Sequence, residues 1–231
     1  MAARAKQTPN SDAPGPAAAV ADWAADMERA VLDQAVSLAP RLGWSKAMAT
    51  AAGRQAGLSA PETELLLPKG PADLAALLSR RHDAAALTRL SAIDPASLKM
   101  RRRIRAAVEA RLDAALADQA AVKRCAGWLA LPGQTALAMR LVWESADGLW
   151  HWAGDTATDE NHYSKRLILG GILSAALGLA LRHGREEAMV FVDRRIENVM
   201  AFETWKAKIK PGDSLAGFAR GLSRLRYGAR T

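Results

Sequence analysis

QTALAMRLVWESADGLWHWAGDTATDENHYSKR, residues 134–166, decides how this chain folds. It holds three of the seven Trp and two of the four His, and it runs directly into the longest apolar stretch, residues 167–181. Its first half sorts by helical phase. Arg140, Glu144, Asp147 and His151 fall at i, i+4, i+7 and i+11, so they share one face of a helix over 134–152. Trp143 and Trp150 border that face, while Leu141, Val142, Leu149 and Trp152 point toward a core. A Trp beside an acid on a half-polar face is the composition of a protein-contact anchor. Burial at a helix boundary is the plainer reading, favoured for Trp143, with Trp150 even between the two. Ala153-Gly154-Asp155 reads as a turn, and Thr158 can cap a second helix with Asp159 and Glu160 in its first turn.

Downstream, residues 167–181 are nearly all apolar around the circumference, which predicts a buried helix. Its small residues allow close helix packing. The sharper reading is a wall for a long apolar ligand, with Leu167, Leu169, Gly170, Ile172, Leu173 and Leu177 as candidate lining. The run has 15 residues, short of the ~18–20 that span a bilayer. A further helix is expected over 186–208. Pro211-Gly212 is a linker, and residues 213–227 form an amphipathic helix. Leu215, Phe218, Leu222 and Leu225 make its narrow apolar stripe, opposed by Arg220 and Arg224. From Lys206 onward there are seven basic residues against one acid, the pattern of an interfacial membrane helix.

Upstream, the periodicity predicts helices over 22–39, 44–56 and 60–67, with Ser45 and Ser59 as caps and Pro40 near the first stop. Further helices follow from Pro71 to Thr88, over 98–117 and over 119–131. Arg80, Arg81 and His82 make a basic spot. The run Arg101, Arg102, Arg103, Arg105 and Arg111 reads as a solvated face that could also meet phospholipid headgroups. Three short helices with a Gly turn before the third outline a helix-turn-helix unit, similar to the N-terminal domain of TetR-type regulators. A recognition helix needs Arg, Lys, Asn or Gln for base edges. The third helix offers Glu62 and Glu64 and no base, so nucleic acid is not an expected partner.

Composition sets the outer bounds. Half the residues are apolar and β-formers are sparse, which predicts an all-α chain. The net charge of +8 invites an anionic partner. The one Cys, Cys125, allows no internal disulfide and reads as a small core residue. Residues 1–19 read as a disordered leader. The expected division is 20–70 as the helix-turn-helix-like unit, 71–210 as a helical ligand domain and 213–227 as the membrane helix. A di-iron site would need Glu three residues before His on core helices, and none of His82, His151, His162 or His183 has one. There is no Gly-rich phosphate loop and no His-Glu-x-x-His. No catalytic residue, metal ligand or cofactor site is read.

The run from Ala146 through Asp147-Gly148-Leu149-Trp150-His151-Trp152-Ala153-Gly154-Asp155 to Asp159, continued by Tyr163, Lys165 and Arg166, resembles a family signature. The family is the ubiquinone-biosynthesis accessory lipid-binding proteins, the ninth coenzyme Q protein and its bacterial relatives. Gly43-Trp44, Ala56-Gly57-Leu58 and Leu67-Pro68-Lys69-Gly70 also fit it, so the resemblance covers roughly residues 22–227. It implies a TetR-regulator-like fold without regulator function, a homodimer, and binding of an isoprenoid quinone precursor or phospholipid. It further implies support of the di-iron demethoxyubiquinone hydroxylase at a membrane surface. That membrane is the bacterial inner membrane seen from the cytoplasm, or the matrix face of the mitochondrial one. By position, the hydroxylase-facing patch would comprise Leu141, Val142, Asp147, Trp150 and His151. Two positions depart from the family: His151 where Tyr is usual and His162 where Trp is usual. The leading expectation is a non-enzymatic accessory factor; the alternative is a ligand-responsive TetR-type DNA-binding repressor.

Overall fold

The computed structural model describes the backbone of residues 16–155 and 160–208, and side-chain surroundings over 22–155 and 162–198. The described residues are all helical, with no strand. In chain order the helices are α1 (Pro16–Leu42), α2 (Lys46–Gln55), α3 (Ala60–Leu66), α4 (Pro71–Leu90), α5 (Met100–Ala117), α6 (Gln119–Leu129), α7 (Thr135–Trp152), α8 (Glu160–His183) and α9 (Arg185–Lys208). Short 3-10 turns at Pro95–Ser97 and Pro132–Gln134 precede α5 and α7. The tail helix expected over 213–227, with its six membrane candidates, and the Thr158 cap lie outside the described residues.

The chain forms two compact units. Of the described residues, the first takes 16–82 and 118–141, the second 83–117, 142–155 and 160–208. In the first unit, α1 packs on α2 and α6, and α2 on α3. Its core is Val31, Ala35, Leu38, Met48, Ala52, Leu74 and Cys125, all buried. Burial pushes the Cys125 thiol up to about 12, as befits a thiol in an apolar site. Local chemistry sets the helix ends. Ser45 Oγ accepts from Met48 N at 3.2 Å, and Ser59 forms a complete capping box with Glu62. A Cβ on Gly53 would lie 2.1 Å from Thr63 Oγ1, so α2 and α3 approach as closely as they do because position 53 has no side chain. Arg81 joins Asp33 at 2.7 Å and Asp118 at 2.8 Å, and His82 Nε2 meets Asp118 at 2.9 Å, so much of the basic spot of α4 is spent on internal pairs. The exposed residues of α3 include Glu62, Glu64 and Leu65 and no cation.

In the second unit, α8 packs on α9, and both pack on α5. The core joins Val108 and Leu112 of α5, Leu149 and Ala153 of α7, Leu169 and Ala176 of α8, and Met189 and Val192 of α9. Here one expectation is corrected. The 167–181 segment is not buried all round: Leu169, Gly170, Ile172, Ala176 and Ala180 face the core, whereas Leu167, Ile168, Gly171, Ser174, Ala175 and Gly178 are exposed. Residues 162–183 are long and apolar enough to cross a bilayer by length and composition alone, with 33% of their most apolar window buried.

Candidate functional site

The corner where α7 hands over to α8 collects the chemistry of the central stretch. Gly154 stands at φ +87°, a left-handed turn that ends α7 after Trp152. Its carbonyl neighbour is clamped: Arg103 Nη1 donates to Ala153 O at 2.8 Å. The turn carries Asp155 inward, where it is 8% exposed. Lys165 Nζ lies 2.6 Å from one Asp155 oxygen and Arg166 Nη1 3.2 Å from the other. Arg166, 3% exposed, also reaches Asp147 Oδ1 on α7 through Nε at 2.5 Å and donates to His162 O at 3.1 Å. Two acids and two bases thus close a neutral network, which is the condition for burying charge at tolerable cost. Burial raises the Asp155 carboxyl, but the hydrogen bonds from Lys165 and Arg166 outweigh it and hold the group below the ordinary carboxylate range.

Trp150 is part of the same lock. Its indole Nε1 donates to Lys165 O at 3.0 Å, its carbonyl accepts from Asp155 N at 3.0 Å, and Lys165 Nζ lies 5.5 Å from its ring centroid. The ring is half-buried against the core. Farther along, a Cβ on Gly170 would stand 2.7 Å from Val142 Cγ1, so α7 and α8 cross at these two residues. Beside the crossing, Trp143 lies 6.3 Å from His162 and 5.8 Å from Tyr163, centroid to centroid, and Tyr163 and Leu167 are exposed.

The residues singled out in the sequence therefore separate. Asp147 and Trp150 are half-buried and held by α8, and His151 is exposed next to them. Leu141 is 4% exposed and turned into the protein, and Val142 is half-buried against α8. Of the α8 residues, Leu169, Gly170 and Ile172 are buried, Leu173 and Leu177 pack half-buried on the core, and Leu167 is 57% exposed. A groove of about 630 Å³ in the first unit is lined instead by Leu66, Pro68, Leu77 and Leu137 with Lys69, Arg80 and Arg140; none of the six borders it. The Asp155–Lys165–Arg166–Asp147 network is what the sequence reading missed. The available signal was an Arg placed directly before a long apolar run, a position where a cation demands a buried partner. Among the described residues no group of three or more His, Cys, Asp or Glu is placed to hold a metal ion. The corner offers matched charges, aromatic edges and one exposed imidazole, the components of a recognition surface.

Residues 135–203, which contain this whole corner, match the family model named COQ9. The chain is 31% identical over 104 residues to the ubiquinone biosynthesis protein COQ9 of Xenopus tropicalis, covering 44% of this chain and 33% of that protein. It is 31% identical over 100 residues to the Rattus norvegicus protein of the same name, covering 42% and 32%. A longer alignment, 25% identical over 188 residues, joins it to COQ9-B of Xenopus laevis, covering 75% of this chain and 62% of that protein. The chain thus spans about a third of the length of the first two relatives. All three carry the word mitochondrial in their names.

Proposed function

We propose, from the match of residues 135–203 to the COQ9 model and the likeness to COQ9 proteins, that this chain is a COQ9 relative and a non-catalytic accessory protein of ubiquinone biosynthesis. In this reading it binds an isoprenoid quinone precursor and presents it to the membrane-associated demethoxyubiquinone hydroxylase, as a homodimer with a TetR-regulator-like fold. The seat is the inner membrane: its cytoplasmic face in a bacterium, its matrix face in a mitochondrion. One observation carries the reading. The segment matched by the family is the segment folded into the α7–α8 corner, where the Ala153-Gly154-Asp155 turn and the Lys165-Arg166 pair are two halves of one ion network.

The network gives the corner a role beyond stability. It fixes Trp150 and Asp147 by their neighbours on α8 and leaves His151 outside, so a partner meets a preset surface rather than one that must be ordered on binding. The helix-turn-helix outline of α2 and α3 favours a DNA-binding repressor by shape. The α3 surface opposes it, because Glu62 and Glu64 would face phosphate.

The partner surface is tested with His151, since its side chain is exposed and Trp150 is tied into the core. His151→Glu is expected to keep the circular dichroism of the parent and weaken hydroxylase binding by roughly tenfold, as for a contact worth ~1–2 kcal/mol at an interface. Unchanged affinity in a calorimetric titration sinks this surface.

A further inference from the structure

Between residues 99 and 105 the chain places five cations, Lys99, Arg101, Arg102, Arg103 and Arg105, and no acid follows until Glu109. They occupy the start of α5, whose first turn holds no carboxylate. A helix N-terminus carries partial positive charge and is stabilised by acids. This arrangement therefore opposes the helix dipole and adds the repulsion of like charges. Two of the five are spent internally. Arg103 donates to Leu98 O and Ala153 O, each at 2.8 Å, and Arg105 pairs with Asp193 and Glu109, each at 2.8 Å. Lys99, Arg101 and Arg102 are exposed and make no ion pair among the described residues.

Arg101 and Arg102 line a groove of about 570 Å³ closed on the other side by α9. Its apolar surface comes from Leu98, Ala106 and Ile196; of its acids, Asp193 is engaged by Arg105 and Glu197 stands opposite. The connection leading into α5 leaves Ile93 and Met100 exposed as well. Cations without partners, close in the chain to apolar side chains without cover, match the two layers of a bilayer interface: phosphodiester headgroups and the first methylenes below them. Duplex nucleic acid would satisfy the cations and leave Ile93 and Met100 in water.

We propose that the α4–α5 connection and the start of α5 dock on an anionic phospholipid bilayer, with Lys99, Arg101 and Arg102 on headgroup phosphates and Ile93 and Met100 in the interfacial layer. None of these five residues belongs to 213–227 or to the α7–α8 network, so the proposal stands if the reading of either fails.

The test is flotation of the full chain with vesicles of phosphatidylcholine alone and of phosphatidylcholine mixed with phosphatidylglycerol. Arg101→Gln/Arg102→Gln is expected to lower partition onto the mixed vesicles on the order of tenfold, and to do so again in an Arg220→Gln/Arg224→Gln background. Ile93→Ser/Met100→Ser is expected to lower it with the charge intact. Equal partition of the Arg101→Gln/Arg102→Gln variant and its parent overturns the proposal. So does an Arg101- and Arg102-dependent affinity for a DNA duplex that vesicles do not compete for. Release of vesicle-bound protein by millimolar inorganic phosphate at constant ionic strength would also overturn it, by assigning the cluster to free phosphate.

Discussion

Two ion networks lie in the second unit and put the same kinds of side chain to different ends. At the α7–α8 corner, Arg166 is 3% exposed and sits between Asp147 and Asp155. Along α5 and α9, Arg185 reaches Asp113 at 2.6 Å and Glu109 at 2.7 Å, Arg89 adds to Asp113 at 2.8 Å, and the Arg185 side chain is 37% exposed. Water screens Arg185 and Arg89 of the second network; in the first it reaches Lys165 and Asp147 at the rim and is kept from Arg166 and Asp155. The exposed network can lose a member and rehydrate what remains. The buried one is less tolerant, because without Arg166 the Asp155 carboxylate keeps Lys165 as its only cation and has little water to replace the other. The difference assigns the corner to fixing a surface, and the α5–α9 rail to modest reinforcement.

The largest effect expected follows from removing the central cation of each. Arg166→Met should cost roughly 1.5–3 kcal/mol, because it removes one of the two charged hydrogen-bond donors of the buried Asp155. Arg185→Met should cost about 1 kcal/mol or less after allowance for solvent screening. Urea unfolding followed by Trp fluorescence measures both, and equal losses would erase the contrast drawn here. Next in size, Gly170→Ala should cost roughly 1–3 kcal/mol by driving a methyl into Val142, and the added change Val142→Ala should recover much of it. A neutral Gly170→Ala would mean that α7 and α8 do not meet as tightly as described.

The smallest effect is in the acid limb. Hydrogen bonds from Arg185 hold Asp113 below its ordinary 3.8, and Asp155 is held below the same value against its burial. Both carboxyls are more acidic folded than unfolded. Their contribution is therefore fully present above pH 3.8 and is lost as pH falls through the lowered folded values. Asp155→Asn and Asp113→Asn should each flatten that decline. Salt at about 1 M should shrink the Asp113 share more than that of Asp155, whose Arg166 partner is buried. Equal salt sensitivity of the two would contradict their different exposure.

These contrasts also show what a sequence can and cannot display. Helix positions were legible because caps and periodicity are local: Ser45 and Ser59 cap where their side chains suggest. Pro40 sits near the stop as expected, inside the last turn of α1, and its carbonyl accepts from Arg124 of α6 at 3.1 Å, a contact 84 residues away that no local pattern encodes. The start of α1 at Pro16 precedes the periodic stretch for a similar reason: a proline fits the first turn whether or not the following residues show a buried face. The shared phase of Arg140, Glu144, Asp147 and His151 placed the polar face of α7 correctly, since three are exposed and Asp147 is half-buried. The partners of Asp147 and Asp155 were illegible because charge pairing across a turn depends on the angle between two helices. The open face of α8 was illegible because an apolar run states what can be buried and not which side is covered.

The claim that this chain serves ubiquinone biosynthesis by carrying a lipid is tested most directly by native mass spectrometry of the full chain, followed by organic extraction of whatever it holds. The account predicts a co-purifying isoprenoid quinone or its precursor, retained in the Arg101→Gln/Arg102→Gln variant. A preparation that carries no isoprenoid lipid, and takes up none from quinone-loaded vesicles, would contradict it.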